Sequence, residues 1–119
     1  MSSNRRHILG AYGESLAAKF LEDLGYEVVE RNWRCPKGEL DLIARDKDAW
    51  VFVEVKTRRS TSANSGLEAI DEVKQQRMRR AIREWCRVRE VSSLRLRIDA
   101  ISVFITGSVI RFEHLKQVG

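Results

Sequence analysis

Gly38-Glu39-Leu40-Asp41-Leu42-Ile43-Ala44 and, a little further on, Val51-Phe52-Val53-Glu54-Val55-Lys56 are strand-length segments whose apolar residues alternate or run together. The polar turn Asp46-Lys47-Asp48 lies between them, so the pair predicts an antiparallel hairpin. A turn centred near residue 47 or 48 makes the numbers of paired residues sum to about 95, which sets Asp41 opposite Glu54 and Glu39 opposite Lys56. Side chains alternate along a strand, so Glu39, Asp41, Glu54 and Lys56 are expected on one face and Leu40, Leu42, Val53 and Val55 on the other. A slip of one residue would undo this arrangement.

Upstream, Leu9, Tyr12, Leu16, Ala17, Phe20, Leu21 and Leu24 recur at helical spacing, and Gly25 supplies a stop, predicting an amphipathic helix over about 8–24. Glu14 sits at the border of its apolar stripe. It is either a solvated or capping glutamate or an acid that reaches over the edge of whatever the helix covers. Residues 27–34 read as a first strand, ended by the breaker Pro36-Lys37-Gly38. Downstream, Thr57-Arg58-Arg59 opens a polar Ser/Thr-rich stretch to Gly66, read as a surface loop that is either a phosphate contact or a solvated linker. Ile70, Val73, Met78, Ala81, Ile82, Trp85 and Cys86 then define a second helix over about 67–89.

Two cations interrupt the apolar stripe of that helix: Lys74 at its centre and Arg77 inside its edge, whereas Arg79, Arg80, Arg83 and Arg87 point elsewhere. A charge on a core-facing stripe must snorkel, pair with an acid or face a site. Both misfits lie in the first half of the helix, which favours a site. The remaining segment predicts two strands, from Leu94 to Ile105 and from Val109 to Phe112, joined at Thr106-Gly107-Ser108. Asp99 in the first of them reads as a paired or edge-solvated acid, and His7 and His114 have no ligand cluster around them. The order helix, three strands, helix, two strands predicts an α/β fold, a mixed five-stranded sheet flanked by two main helices, with the third and fourth strands parallel across the crossover helix.

The 119 residues suit a single domain over 1–119, with about 1–7 and 115–119 expected as flexible tails. An apolar fraction of 43% argues against disorder, and no apolar run approaches the roughly 18 residues of a membrane span. The basic N-terminus leads into a charged helix and not a signal-peptide core, so a cytoplasmic protein is expected. Cys35 and Cys86 lack any metal-ligand spacing, which points to reduced thiols, with a Cys35–Cys86 pair left open. An excess of 22 Lys and Arg over 17 Asp and Glu, with a pI near 9.6, is compatible with a polyanionic partner.

Opposed carboxylates such as Asp41 and Glu54 repel unless a cation lies between them. Hard oxygen donors with few side chains suit Mg²⁺ completed by water and phosphate oxygens. Lys56 reaches the same face, where an ammonium can orient or help deprotonate a water and offset charge on a pentacovalent phosphate. Metal, water and lysine together make a hydrolytic phosphodiester site. The bland alternative is a set of cross-strand salt bridges on an exposed sheet face, each adding little. Trp50 and Phe52 argue against it, because on the charged side they imply partial cover by another element.

Asp41 with Glu54-Val55-Lys56 resembles the PD-(D/E)xK nuclease signature, and the surrounding sequence resembles the YraN family of small bacterial endonuclease-like proteins. The resemblance runs through Gly13-Glu14, Gly25-Tyr26, Arg31-Asn32-Trp33-Arg34, Gly38 to Ala44, Phe52 to Arg58, Glu68-Ala69-Ile70, Lys74 and Arg77 to Asp99. It implies a restriction-endonuclease-like core similar to that of Holliday-junction resolvases. It also implies Asp41 and Glu54 as metal ligands, the Val55 carbonyl as a third, Lys56 as the catalytic lysine, and Glu14 as an acid that holds the metal or its water. Lys74 and Arg77 fall where related nucleases contact substrate, and Arg58 joins them as a phosphate contact; Glu39 is expected as an outer partner of Lys56. Leu40 stands where the family name has proline, and no Gln-x-x-x-Tyr motif follows Gln75 or Gln76, which sets the chain apart from the RecB-like branch.

The expectation is therefore a Mg²⁺- or Mn²⁺-dependent endonuclease acting on DNA, branched or flapped forms included, with no membrane partner and no small-molecule cofactor. The alternatives are a non-catalytic nucleic-acid-binding module on the same fold and a subunit whose basic helix binds an acidic protein. Nothing in the pattern selects between a monomer and a homodimer.

Overall fold

A computed structural model describes residues 2–59, 71–91 and 95–118, with side chains described from residue 8 onward. The predicted hairpin forms as two strands, β2 (Gly38–Asp46) and β3 (Ala49–Arg58), in the register read from the sequence: Leu42 pairs with Val53, Ile43 with Phe52 and Ala44 with Val51. Strand β1 (Glu27–Cys35) lies antiparallel on the outer side of β2, and β4 (Leu96–Thr106) lies parallel to β3, followed by an antiparallel β5 (Val109–Leu115). The sheet order is β1-β2-β3-β4-β5. Helix α1 (Ser2–Asp23) covers one face and helix α2 (Glu72–Val88), the crossover between β3 and β4, covers the other. This is the expected α/β fold with a mixed five-stranded sheet, and the first helix starts several residues earlier than its apolar periodicity indicates.

Period-two alternation divides the core. Val51 and Val53 join Leu42, Ile101, Ala17 and Leu21 beneath α1, whereas Phe52 joins Ile43, Ile98, Met78 and Trp85 beneath α2. Each large side chain so buried contributes on the order of 1.5–3 kcal/mol. Trp85 is the hub of the α2 side. Its ring meets Trp50 and Phe52 edge-on at 5.2 and 5.6 Å, and its indole N–H donates to Glu30 at 2.9 Å, so its one polar atom is satisfied. The cover expected over Trp50 and Phe52 is α2.

Three expectations need correction. The tail expected from 115 is tied down: the Val118 N–H donates to the Ile98 carbonyl at 2.8 Å, the Gln117 N–H to Asp99 at 3.1 Å, and Gln75 of α2 donates to the Val118 carbonyl. Helix α2 begins at the cap Asp71, whose carboxylate accepts from the Lys74 N–H at 2.8 Å, and Val73 is exposed on it instead of joining the core. The polar stretch 60–66, the predicted helical residues 67–70, Leu94 and the side chain of His7 lie outside the described residues.

The third correction concerns the hairpin faces. Leu42 lies under α1 as expected, but Leu40 packs under α2 with Trp33 and Cys35, so alternation breaks at Asp41. The reason is local backbone geometry. Asn32 of β1, between the pairs Arg31–Leu42 and Trp33–Leu40, has φ +52°, and the β2–β3 ladder ends at Leu42–Val53. Beyond that pair the two strands fork.

Candidate functional site

The fork places Asp41 where a backbone carbonyl would continue the ladder. The Val55 N–H donates to Asp41 Oδ2 at 2.9 Å, so the carboxylate is held by the main chain of β3 and by the strand that carries it. On β3 the next residue back, Glu54, is buried at 7% exposure and projects toward α2. Its carboxyl hydrogen-bonds to that of Asp41 and forms an ion pair with Lys74. Lys74 therefore pairs with an acid, one of the three outcomes open to a charge on the apolar stripe, and Asp41 and Glu54 meet just beyond the last ladder pair, Leu42–Val53.

Burial governs the pair. Desolvation, and then the charge of Asp41, push Glu54 up to about 7 against the pull of Lys74. Asp41 is raised as well, by burial first, although the Val55 amide opposes the shift. Glu54 therefore keeps its proton to higher pH than a free glutamate, and that proton lies between the two carboxyls. Glu14 of α1 reaches this cluster from the other face of the sheet. It is half-buried, hydrogen-bonded to the Asn32 side chain, and raised by burial and by the charges of Asp41 and Glu39. Its helix can approach because Gly13 has no side chain: a Cβ there would lie 1.8 Å from Thr57 Oγ1.

The other predicted residues fall at different distances from this cluster. Lys56 is exposed on β3, two residues past Glu54, where the ladder pairs it with Ser102 of β4. Glu39 pairs with Arg34 at 3.2 Å, so its expected partnership with Lys56 is corrected: the fork separates β2 from β3 before the two could meet. Arg58 ends β3 beside Phe104, and its buried Nε has no hydrogen-bond partner among the described residues. Arg77 is exposed and faces a cleft of about 890 Å³ between the first half of α2 and the end of β1, with Glu54 and Lys74 also in its wall. Lys56 and Arg58 do not line that cleft.

Two basic residues of the cleft wall were not singled out from sequence, Arg34 and Lys37. The signal was present as Pro36-Lys37-Gly38, which reads equally as a plain strand breaker. Asn32 was likewise missed, since a left-handed residue inside a strand has no periodic signature. Among the described residues no three or more acidic, histidine or cysteine side chains converge on one point. Cys35 and Cys86 are free thiols, and no described helix is long and apolar enough to cross a membrane.

The chain matches known proteins along nearly its whole length. It is 48% identical over 112 residues to the UPF0102 protein of Beutenbergia cavernae, covering 93% of this chain and 95% of that one. It is 46% identical over 114 residues to the UPF0102 protein of Paenarthrobacter aurescens, covering 95% and 94%. The UPF0102 protein of Nocardia farcinica is 47% identical over 114 residues, covering 95% and 90%. Among solved structures, the crystal structure of SSO0001 aligns with 98% of this chain and 52% of its own, at a TM-score of 0.36 and 19% identity, and this chain spans about half its length. The model of the uncharacterised protein family UPF0102 matches residues 13–103, a span that holds Glu14, the forked hairpin and Lys74, and the chain belongs to that family.

Proposed function

We propose that the protein is a metal-dependent nuclease of restriction-endonuclease-like fold that hydrolyses DNA phosphodiester bonds in the cytoplasm, where its two thiols stay reduced. The observation that carries this reading is the hydrogen-bonded Asp41–Glu54 pair, neutralised by one ammonium, with Glu54 and that ammonium in the wall of a cleft bearing basic residues. Paired buried carboxyls that burial holds above their ordinary range are costly to keep, and they are characteristic of sites that recruit a cation. The donor set fits a hard divalent ion, being all oxygen. Two carboxylates and the Val55 carbonyl would hold it, Glu14 would act through water, and the other positions would fall to water and phosphate oxygens.

Bound Mg²⁺ or Mn²⁺ would supply Lewis-acid polarisation of the phosphate and a more acidic water. The chain's own residues do the rest. The Val55 amide fixes the orientation of Asp41, so one ligand is preorganised. Glu54 becomes a full donor once it gives up the shared proton and parts from Lys74, which leaves that ammonium for a substrate phosphate beside Arg77. Lys56 orients or deprotonates the attacking water, and Arg58 adds a phosphate contact at the strand end.

The test is a cleavage panel of single-stranded, duplex, flap and four-way-junction DNA with Mg²⁺ or Mn²⁺. Lys56→Ala is expected to lower cleavage about 10²- to 10⁴-fold while DNA binding persists, and Asp41→Ala to weaken Mn²⁺ binding. Cleavage that persists at the wild-type rate in purified Lys56→Ala overturns the reading. A second reading, binding without turnover, is favoured by Lys56 standing outside the cleft and by Lys74 already neutralising Glu54. It predicts salt-dependent DNA retention with no nicking by the wild type in either metal.

A further inference from the structure

We infer that the end of β1 and its turn into β2 form the second wall of a channel for one unpaired nucleic-acid strand, in which Arg34 and Lys37 contact phosphates across from Lys74 and Arg77. The inference rests on the nucleic-acid reading above and names the form of substrate. The cleft of about 890 Å³ is built from two elements remote in sequence, and each contributes two cations to its lining. Glu54 lies in the same lining, so a strand held by the four cations passes that carboxyl, with Asp41 next to it.

The wall is rigid. Gly38 follows the turn directly against α2, where a Cβ would stand 3.2 Å from the Arg77 carbonyl oxygen and 3.6 Å from the Ala81 Cβ. Pro36 limits the backbone on the other side of Lys37. The turn is therefore clamped to the helix, and the cleft closes where they touch. Its volume is near the upper end of what holds one drug-sized ligand. That suits a few nucleotides of a single strand threaded between the two walls.

Both cations are available for exchange. Among the described residues Arg34 pairs with Glu39, at 3.2 Å, and the side chains are 74% and 62% exposed, so a phosphate can replace the carboxylate at little cost. Lys37 is exposed, and its charge is felt by Glu84 on α2, which places it on the helix side of the turn.

The experiment is fluorescence anisotropy of a labelled oligothymidylate against salt, with Ca²⁺ in place of Mg²⁺ so that turnover does not enter. Arg34→Ala/Lys37→Ala is expected to make the slope of log K against log salt shallower by about 1.4, the loss of two single-strand phosphate contacts. Arg79→Ala/Arg80→Ala, exposed residues outside the cleft with the same change in charge, should leave the slope unchanged. A blunt hairpin duplex should bind more weakly and show no difference between the two double variants. An unchanged slope for Arg34→Ala/Lys37→Ala, an equal change for the control pair, or duplex binding that matches the single strand overturns the channel. Arg34→Gln/Lys37→Gln repeats the test with the stem volume kept. Wild-type DNA that is bound with the expected slope change but never cut overturns the nuclease reading and leaves the channel standing. Cleavage with an unchanged slope does the reverse.

Discussion

Buried acids meet cations at two places in this molecule, and their charges are resolved in opposite ways. Asp99 is fully buried. Its carboxylate accepts from Arg97 at 2.9 and 3.1 Å, from His114 at 2.8 Å and from the Gln117 N–H at 3.1 Å. Burial pushes this carboxyl up, but the hydrogen bonds from His114, Arg97 and Gln117 outweigh it and the net shift is downward. At the fork the same burial wins: Glu54 and Asp41 stay raised, with one ammonium and one amide between them. A satisfied acid is structural cement, whereas an under-satisfied pair with one member in a cleft wall is where the proposed function puts a cation.

Removing the cement should have the larger effect. Arg97 extends the Asp99 knot to Tyr26 at 2.6 Å and to Asp46 at 3.2 Å, so β4, β5, the C-terminal residues and the end of the β1–β2 pair where β1 starts and β2 finishes meet there. Asp99→Ala leaves Arg97 and His114 facing a buried void. It is expected to cost about 3–5 kcal/mol and to lower Tm by about 10 °C or more, read by thermal and urea melts. An unchanged melt would show that the two clusters do not differ as described.

The sequence makes the fork more legible than the knot. Strand alternation and a two-sided turn bring Asp41 and Glu54 together on paper, because the register of a tight hairpin is a local property. Lys74 is legible for a similar reason, since a charge on an apolar helical stripe needs a partner. Asp99 could be read only as a paired or solvated acid: its partners Arg97, His114 and Gln117, and through Arg97 also Tyr26 and Asp46, come from separate segments, and no periodicity links them. The break in alternation at Leu40 was illegible because it depends on Asn32 in the neighbouring strand adopting φ +52°. The Arg34–Lys37 wall was hidden because its other half is a helix more than thirty residues away, and only the close contact of Gly38 with α2 assembles it.

A smaller effect of opposite sign is expected at the fork. Glu54 has an ordinary value of 4.5 and is raised to about 7 in the fold. The folded state therefore holds more protons across that interval. Its contribution to stability is complete below pH 4.5 and is lost as pH rises through 7. Glu54→Gln mimics the protonated form at every pH. It should leave stability nearly unchanged near pH 4.5 and increase it by about 1–3 kcal/mol at pH 8, while weakening Mn²⁺ binding. Glu54→Gln less stable than wild type at pH 8 would mean that Lys74 satisfies Glu54 as fully as Arg97 and His114 satisfy Asp99.

The smallest effect on stability tests how far the strain at the fork extends. Glu39 is exposed and its pair with Arg34 is solvated, so Glu39→Gln should change stability by no more than about 0.5 kcal/mol. Its charge nevertheless acts inward, raising both Glu14 and Asp41. Removing that charge lets both acids ionise at lower pH, so the midpoint of Mn²⁺ binding against pH should move down while the melt stays where it was. The same substitution frees Arg34 and should tighten oligothymidylate binding. The exposed pair of Arg95 with Asp48, 3.1 Å apart, sits at the β2–β3 turn, the opposite end of the hairpin from the fork, so Asp48→Asn is the matched control. If both variants shift the Mn²⁺ midpoint equally, the effect is net charge, and the fork is no more sensitive than the rest of the surface.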